Sequence, residues 1–319
     1  MLFRRLAFLD LATVDRDDLD LNPIVSQAET VKMWPATDNE ALRQHMQGAE
    51  AVVLNKVRLG AELFAAMQPK IVCLAATGSD NIDLEAARKA GVAVAHIRGY
   101  CTASVVQHVF ALILALTTHL GGYAERLRAG AWSRSDHFTL LDLPVRELAG
   151  KTLTVIGYGT LGQAVAERAR AFGMRIVAAE RRGAATRPGR VPFEQALAEA
   201  DVATLHAPLT EASRHLINTE TLALMKPDAL LINTARGGLV DEAALRGALA
   251  SRRIGGAGLD VLSTEPPPRD HPLLDPALPN LIVTPHIAWA AREARQRAVD
   301  EIGANLAAFL AGESRNRLV

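Results

Sequence analysis

At 319 residues and 34.2 kDa, the chain suits two domains better than one, and an apolar fraction of 49% can fill ordinary cores. Its 35 basic residues balance 35 acidic ones and the pI is about 7.1, so the charge points to neither nucleic acid nor an anionic membrane. The two cysteines, Cys73 and Cys101, lack CxxC spacing, which excludes a disulfide framework and fits a reducing, cytoplasmic setting.

The first apolar run, Leu6–Leu9, follows Arg4 and Arg5 and is interrupted by Asp10, so it reads as a strand and not as a signal peptide. Further strands are predicted at Ala51–Leu54, Ile71–Leu74 and Val92–Ala95, with helical stretches at Asp38–Met46 and Leu84–Ala90 between them. This alternation argues for parallel β-α units. A long helix is predicted from Thr102 to Leu120, ended by Gly121-Gly122. Its most apolar part, Val109–Leu116, is far shorter than the roughly 20 residues a membrane span needs. Residues 123–150 read as an irregular excursion. A second β-α series starts at Lys151, with strands at Leu153–Ile156, Arg175–Ala179, Val202–Leu205, Ala229–Asn233, Gly256–Leu259 and Leu281–Thr284. A final helix, Ala291–Leu310, has apolar residues at helical spacing. No repeat of fixed period and no low-complexity tract is present, and no metal is expected.

The most specific stretch runs from Lys151 to Glu180. Gly157, Gly159 and Gly162 form G-x-G-x-x-G between a strand and the predicted helix Leu161–Phe172, which Gly173 closes. A second strand then ends in Glu180. Each part has a physical reason. Gly157 permits a tight turn, Gly159 lets backbone approach a pyrophosphate, and Gly162 lets helix and strand pack closely. The helix start supplies amides and a favourable dipole for the anion. Glu180 can accept hydrogen bonds from a ribose diol, which favours NAD; Arg181-Arg182 directly after it keep NADP possible.

Ligands of open parallel sheets sit at the carboxyl ends of the strands. There the second series carries His206 and Pro208, then Thr234, Ala235 and Arg236, then Asp260 and Glu265, and last His286 in "TPHIAW", with Asp241 placed to cap a helix. Hydride addition to a keto acid needs a carboxylate anchor, carbonyl polarisation and a proton for the developing alkoxide. Arginine suits the anchor because its planar fork binds a carboxylate bidentately. Histidine suits the acid because it titrates near neutrality, and a neighbouring carboxylate orients the ring and favours its charged form. The expected assignment is Arg236 as anchor, His286 as acid/base and Glu265 as its partner.

Together "GYGTLG", "INTARGGLVDEAAL", "GLDVLSTEPPP" and "VTPHIA", in this order, resemble the D-isomer-specific 2-hydroxyacid dehydrogenase family over essentially the whole chain. Within the family, "LNKVRL", "ATGSDNIDL" and "YCTASVVQHVFALILAL" are most similar to NAD-dependent glycerate dehydrogenases, also called hydroxypyruvate reductases. The resemblance implies an α/β fold of two Rossmann-like parallel-sheet domains, a flavodoxin-like substrate domain and a dinucleotide-binding domain, with a cleft between them. It implies a substrate domain of residues 1–100 completed by 290–319, a dinucleotide-binding domain of residues 101–289, and a dimerisation arm at about 121–150, hence a homodimer. It also implies that Arg236, Glu265 and His286 are catalytic. The backbone at Ala76, Thr77 and Gly78 would meet the substrate carboxylate, and Trp289 would help wall the pocket. Thr160, Leu161, Glu180, Thr234 and Asp260 would line the cofactor.

Where many members have Ala-Glu-His on the interdomain helix, this chain has Val106-Gln107-His108, as the glycerate dehydrogenase-like group does. Formate dehydrogenases of the superfamily carry glutamine at the place of Glu265, so that reaction is set aside. No regulatory tail is expected after Val319. Two other functions fit the same residues: a dehydrogenase for another 2-keto acid or for phosphite, and a non-catalytic, dinucleotide-sensing protein like the corepressors of the superfamily. No nucleic-acid or membrane partner is expected.

Overall fold

A computed structural model describes residues 1–319. The chain divides into two compact units, residues 1–101 with 289–319, and residues 102–288.

The first unit holds strands β1 (Phe3–Phe8), β2 (Ala28–Met33), β3 (Ala51–Leu54), β4 (Ile71–Leu74) and β5 (Ala93–Ala95). They form one parallel sheet in the order β2-β1-β3-β4-β5, so the direction of winding reverses between β1 and β3. Strands buried on both faces read as continuous apolar runs. That is why "AVVL" and "IVCL" are legible, and both are fully buried. Strand β2 carries no such signal and is an addition to the predicted set. It lies at the sheet edge, and "AETVKM" mixes exposed and half-buried positions. The C-terminal helix Arg292–Leu310 packs Ala298, Val299, Ile302 and Leu306 into the core made by Phe3, Leu6 and Phe8.

The second unit holds β6 (Thr152–Ile156), β7 (Arg175–Ala179), β8 (Val202–Leu205), β9 (Leu230–Asn233), β10 (Gly256–Leu259) and β11 (Leu281–Val283). Its sheet is parallel throughout, in the order β11-β10-β9-β8-β6-β7. The winding reverses between β6 and β8, which is where a doubly wound sheet opens its ligand crevice. A single bridge from Ala179 to Val191 adds the start of one more strand outside β7.

Two expectations about the long helix need correction. It spans Thr102–Thr118, and the break falls at His119, whose φ of 51° is left-handed. A second helix, Leu120–Arg128, runs straight through Gly121-Gly122, bent 57° from the first. The glycine pair has a packing role here: a Cβ on Gly122 would lie 2.8 Å from Leu143 Cδ1. The excursion therefore begins as a helix and turns irregular only after it. No single helix is long and apolar enough to cross a membrane.

Candidate active site

The glycine turn follows β6 directly. Gly157 has φ of 93°, and a Cβ there would come within 2.5 Å of the His206–Ala207 backbone, so this position needs glycine on two counts. Gly162 packs just as tightly, since a Cβ would strike the Gly157 carbonyl and approach Val155 Cγ1. Gly159 differs from both, with open space where a Cβ would go. It also caps the helix Thr160–Ala171 without a side-chain acceptor. The opening amides of that helix, at Thr160 and Leu161, therefore face an uncrowded turn with no intrahelical partner. An open glycine at a helix start fits a pyrophosphate, and Thr234 Oγ1, at the end of β9, is a buried hydroxyl without a hydrogen-bond partner, the kind of atom a bound cofactor would satisfy.

His206 ends β8. Its amide donates to the Ile156 carbonyl at 2.7 Å, which ties this strand end to the turn. Its Nε2 pairs with Thr204 Oγ1 at 2.9 Å, and burial pushes its pKa down to about 4, so the ring is neutral at physiological pH. Pro208, two residues on, is exposed, and its carbonyl accepts from Ser213 Oγ.

Arg236 is carried by a turn that Asn233 shapes. The buried Asn233 side chain donates to the Arg236 carbonyl at 2.9 Å and accepts from the Ala235 amide at 3.0 Å. The Arg236 guanidinium donates to the Ala235 carbonyl at 2.8 Å. The next residue, Gly237, abuts the Leu262–Ser263 backbone so closely that no Cβ would fit. This contact sets the arginine turn against the loop that bears Glu265. Asp241 caps the following helix by accepting from the amides of Ala243 and Ala244.

Glu265 Oε1 accepts from the Leu262 amide at 3.0 Å, which folds the loop back on itself. Its Oε2 accepts from His286 Nδ1 at 2.6 Å. Both side chains are partly open, 34% for Glu265 and 27% for His286, so the pair can meet a ligand. His286 has φ of 56°, a left-handed conformation that costs energy for a residue with a Cβ and recurs at functional sites.

What holds His286 there is Asp260. This carboxylate, 1% exposed, accepts from Thr284 Oγ1 at 2.6 Å and from the amides of Ile287 at 2.9 Å and Ala288 at 2.8 Å. The Asp260 carbonyl accepts from the His286 amide at 2.8 Å. His108, on the long helix, completes the network through Nε2, 2.8 Å from Thr284 Oγ1 and 3.4 Å from Asp260 Oδ1. Asp260, expected among the cofactor residues, thus has its oxygens turned onto the histidine segment.

Glu180 ends β7 as expected, with an unforeseen partner. Arg187 grips both of its oxygens, Nε at 2.7 Å and Nη2 at 2.6 Å. These hydrogen bonds, with the Arg181 amide, hold the carboxyl down at about 2. Arg182 is drawn away by Glu194 at 3.1 Å and Glu220 at 3.5 Å.

In the first unit, the loop Ala76–Gly78 follows β4. The Ala76 carbonyl accepts from the Ile97 amide, and the Thr77 carbonyl pairs with His96 Nδ1 at 2.8 Å. Asn55 turns its side chain inward to Thr13 Oγ1 and is 3% exposed, whereas Lys56 is exposed. Trp289 sets its ring edge-on to Tyr100 at 6.4 Å. Sequence reading assigns no role to Asn233, His108 or Arg187. For Asn233 a signal exists, an amide side chain closing an apolar strand; the other two act through tertiary contacts.

A glycine turn between a parallel strand and a helix, at the crevice of a doubly wound sheet, is the arrangement of a dinucleotide-binding domain. The model of the D-isomer specific 2-hydroxyacid dehydrogenase NAD-binding domain matches residues 110–288, and the chain belongs to this family. It is 42% identical to a glycerate dehydrogenase of Methylorubrum extorquens over 98% of each chain. It is 35% identical to a hydroxypyruvate reductase of Blautia hydrogenotrophica, again over 98% of each. Among solved structures, an acyclic imino acid reductase in complex with NADPH and D-Arg superimposes with a TM-score of 0.85, at 28% identity, covering 99% of this chain and 100% of that one. The protein is an NAD(P)-linked D-2-hydroxyacid dehydrogenase.

Proposed function

We propose that the protein reduces hydroxypyruvate to D-glycerate, with glyoxylate as a second substrate. The observation that carries this reading is the 2.6 Å bond from His286 Nδ1 to Glu265, in a loop set against the turn that bears Arg236. The names of the two relatives reported above support the choice of substrate. Nicotinamide, when bound, supplies the hydride that reduces the carbonyl carbon. Arg236 fixes the keto-acid carboxylate and polarises the carbonyl, helped by the backbone at Ala76, Thr77 and Gly78. With Nδ1 donating to Glu265, the imidazolium delivers its proton from Nε2 to the carbonyl oxygen and recovers it from solvent. The negative Glu265 steadies the charged ring between turnovers. The hydroxymethyl group of hydroxypyruvate needs a polar partner, and Asn55 and Lys56 of "LNKVRL" are the residues proposed for it.

The same reading takes residues of about 121–150 as a dimerisation arm and the protein as a cytoplasmic homodimer. The arm exposes Leu127, Trp132, Phe138, Leu141 and Val145, from 49% for Leu127 to 90% for Phe138, a density of bare apolar side chains that favours a covering partner. Both cysteines are thiols, Cys73 deep in β4, in keeping with a reducing compartment.

The deciding experiment is a panel of 2-keto acids assayed with NADH and NADPH. Hydroxypyruvate should have the highest catalytic efficiency, and pyruvate should trail by more than the roughly 10–200-fold that one missing group gives in an apolar pocket, because a polar subsite would be left unpaired. Equal efficiency with pyruvate would overturn the substrate assignment. Nucleotide binding without turnover of any keto acid would make the chain a sensor and not an enzyme.

A further inference from the structure

Ten residues after Glu180 contain four arginines, at 181, 182, 187 and 190, and the structure gives them different partners. Glu180 itself is closed off, with its side chain 1% exposed. Its Oε1 accepts from the Arg181 amide at 2.8 Å and from Arg187 Nη2 at 2.6 Å. Its Oε2 accepts from Arg187 Nε at 2.7 Å and from the Arg187 amide at 3.2 Å. Arg187 has a 59% exposed side chain, so one face of its guanidinium meets the acid while the rest faces solvent. Arg190 lies over the Tyr158 ring, 4.8 Å from its centre, and Tyr158 stands between Gly157 and Gly159 of the glycine turn. The turn residues Gly183 and Gly189, both at positive φ, close the loop that brings Arg187 and Arg190 back.

A bare carboxylate at this strand end would accept from a ribose diol and repel a 2′-phosphate. A carboxylate already gripped by a guanidinium fork has lost most of its net charge. The guanidinium carries five N–H donors and can pair with phosphate while it still holds the acid. Arg182 is drawn off to Glu194 and Glu220 and makes no bond to Glu180. We propose that Arg187 is the specificity-determining residue for the 2′-position of the cofactor. By masking Glu180 and presenting its own charge, it lets the chain accept NADPH alongside NADH. The inference rests on the reading that a dinucleotide lies on the glycine turn with its adenosine ribose at Glu180.

The test is direct binding of NADH and of NADPH to the full chain without keto acid, followed by nucleotide fluorescence, for the parent, Arg187→Ala and Arg187→Lys. No substrate assignment enters the readout. The parent should bind the two nucleotides within about tenfold of each other. Arg187→Ala should weaken NADPH by roughly 10–100-fold, the worth of one or two charge-assisted hydrogen bonds, and leave NADH as tight or tighter. Arg187→Lys, which keeps the charge without the fork, should fall between. An unchanged NADPH-to-NADH ratio in Arg187→Ala would overturn the proposal. Equal losses for both nucleotides would also overturn it, since they would make Arg187 a staple of the loop. A parent that binds neither nucleotide would sink the dinucleotide reading itself and take this inference with it.

Discussion

Two buried carboxylates end neighbouring halves of the same sheet and differ in one partner, an arginine side chain. Asp260, after β10, is bonded by the Thr284 hydroxyl and the Ile287 and Ala288 amides of the segment after β11, so its charge is spent on holding that backbone. Glu180, after β7, also takes two main-chain amides, of Arg181 and Arg187, but its shortest bonds come from the side chain of Arg187, a group largely in solvent. A carboxylate fixed by main-chain donors cannot release them without unfolding the segment. One fixed by an exposed arginine can exchange that partner for a ligand. The difference separates a rigid, chemical part of the site from an adjustable, recognising part.

The clearest way to sharpen this separation is His286→Ala. Removing the proposed proton donor should lower kcat by roughly 10²–10⁴-fold while NADH binding stays near the parental value. Parallel losses in turnover and in nucleotide binding would show that the two parts are one. Asp260→Ala attacks the rigid part from beneath. It strips an acceptor from the Ala288 and Ile287 amides and releases the left-handed histidine. Each orphaned buried amide costs about 1–3 kcal/mol, so Tm should drop by roughly 2–8 °C. A loosened histidine should cost kcat on the order of 10²-fold. A variant with parental Tm and kcat would remove Asp260 from its positioning role.

The smallest effect comes from a third acid, held by an arginine as Glu180 is, within the first unit. The Arg295 guanidinium donates to both oxygens of Asp18, at 2.8 and 2.7 Å, and holds its carboxyl down at about 2. A folded-state value below the unfolded one means stability that is present above about pH 4 and fades as pH falls toward 2. Asp18→Asn should therefore lower the urea midpoint modestly at pH 6. The gap to the parent should narrow as the measurement moves to pH 3. A gap that widens on acidification would reverse the sign.

The fold is legible where burial writes itself into composition. Ala51–Leu54, Ile71–Leu74, Arg175–Ala179, Val202–Leu205 and Gly256–Leu259 have their predicted ends, because strands covered on both faces show as short apolar runs. The edge strand Ala28–Met33 escapes because one side of it has no neighbour to bury it. Gly121-Gly122 misleads because a glycine's local meaning, helix ending, is overridden by its tertiary one, the approach of Leu143. In the site, the order of strand ends is enough to bring Glu265 and His286 together. The Arg187–Glu180 fork is not readable, since its span of seven residues includes the left-handed turn at Gly183, whose course the sequence pattern does not fix. The same holds for His108, which reaches Thr284 across 176 positions of sequence.

In the proposed function, His286 and Glu265 act as one unit in proton transfer, joined by the 2.6 Å bond at Nδ1. A double-mutant cycle tests this most directly: kcat for hydroxypyruvate reduction in the parent, Glu265→Gln, His286→Ala and the double variant, with NADH affinity measured alongside. Glu265→Gln should lower kcat in the parent background, cost little more once His286 is gone, and leave NADH affinity unchanged. Equal losses from Glu265→Gln in both backgrounds would contradict this reading.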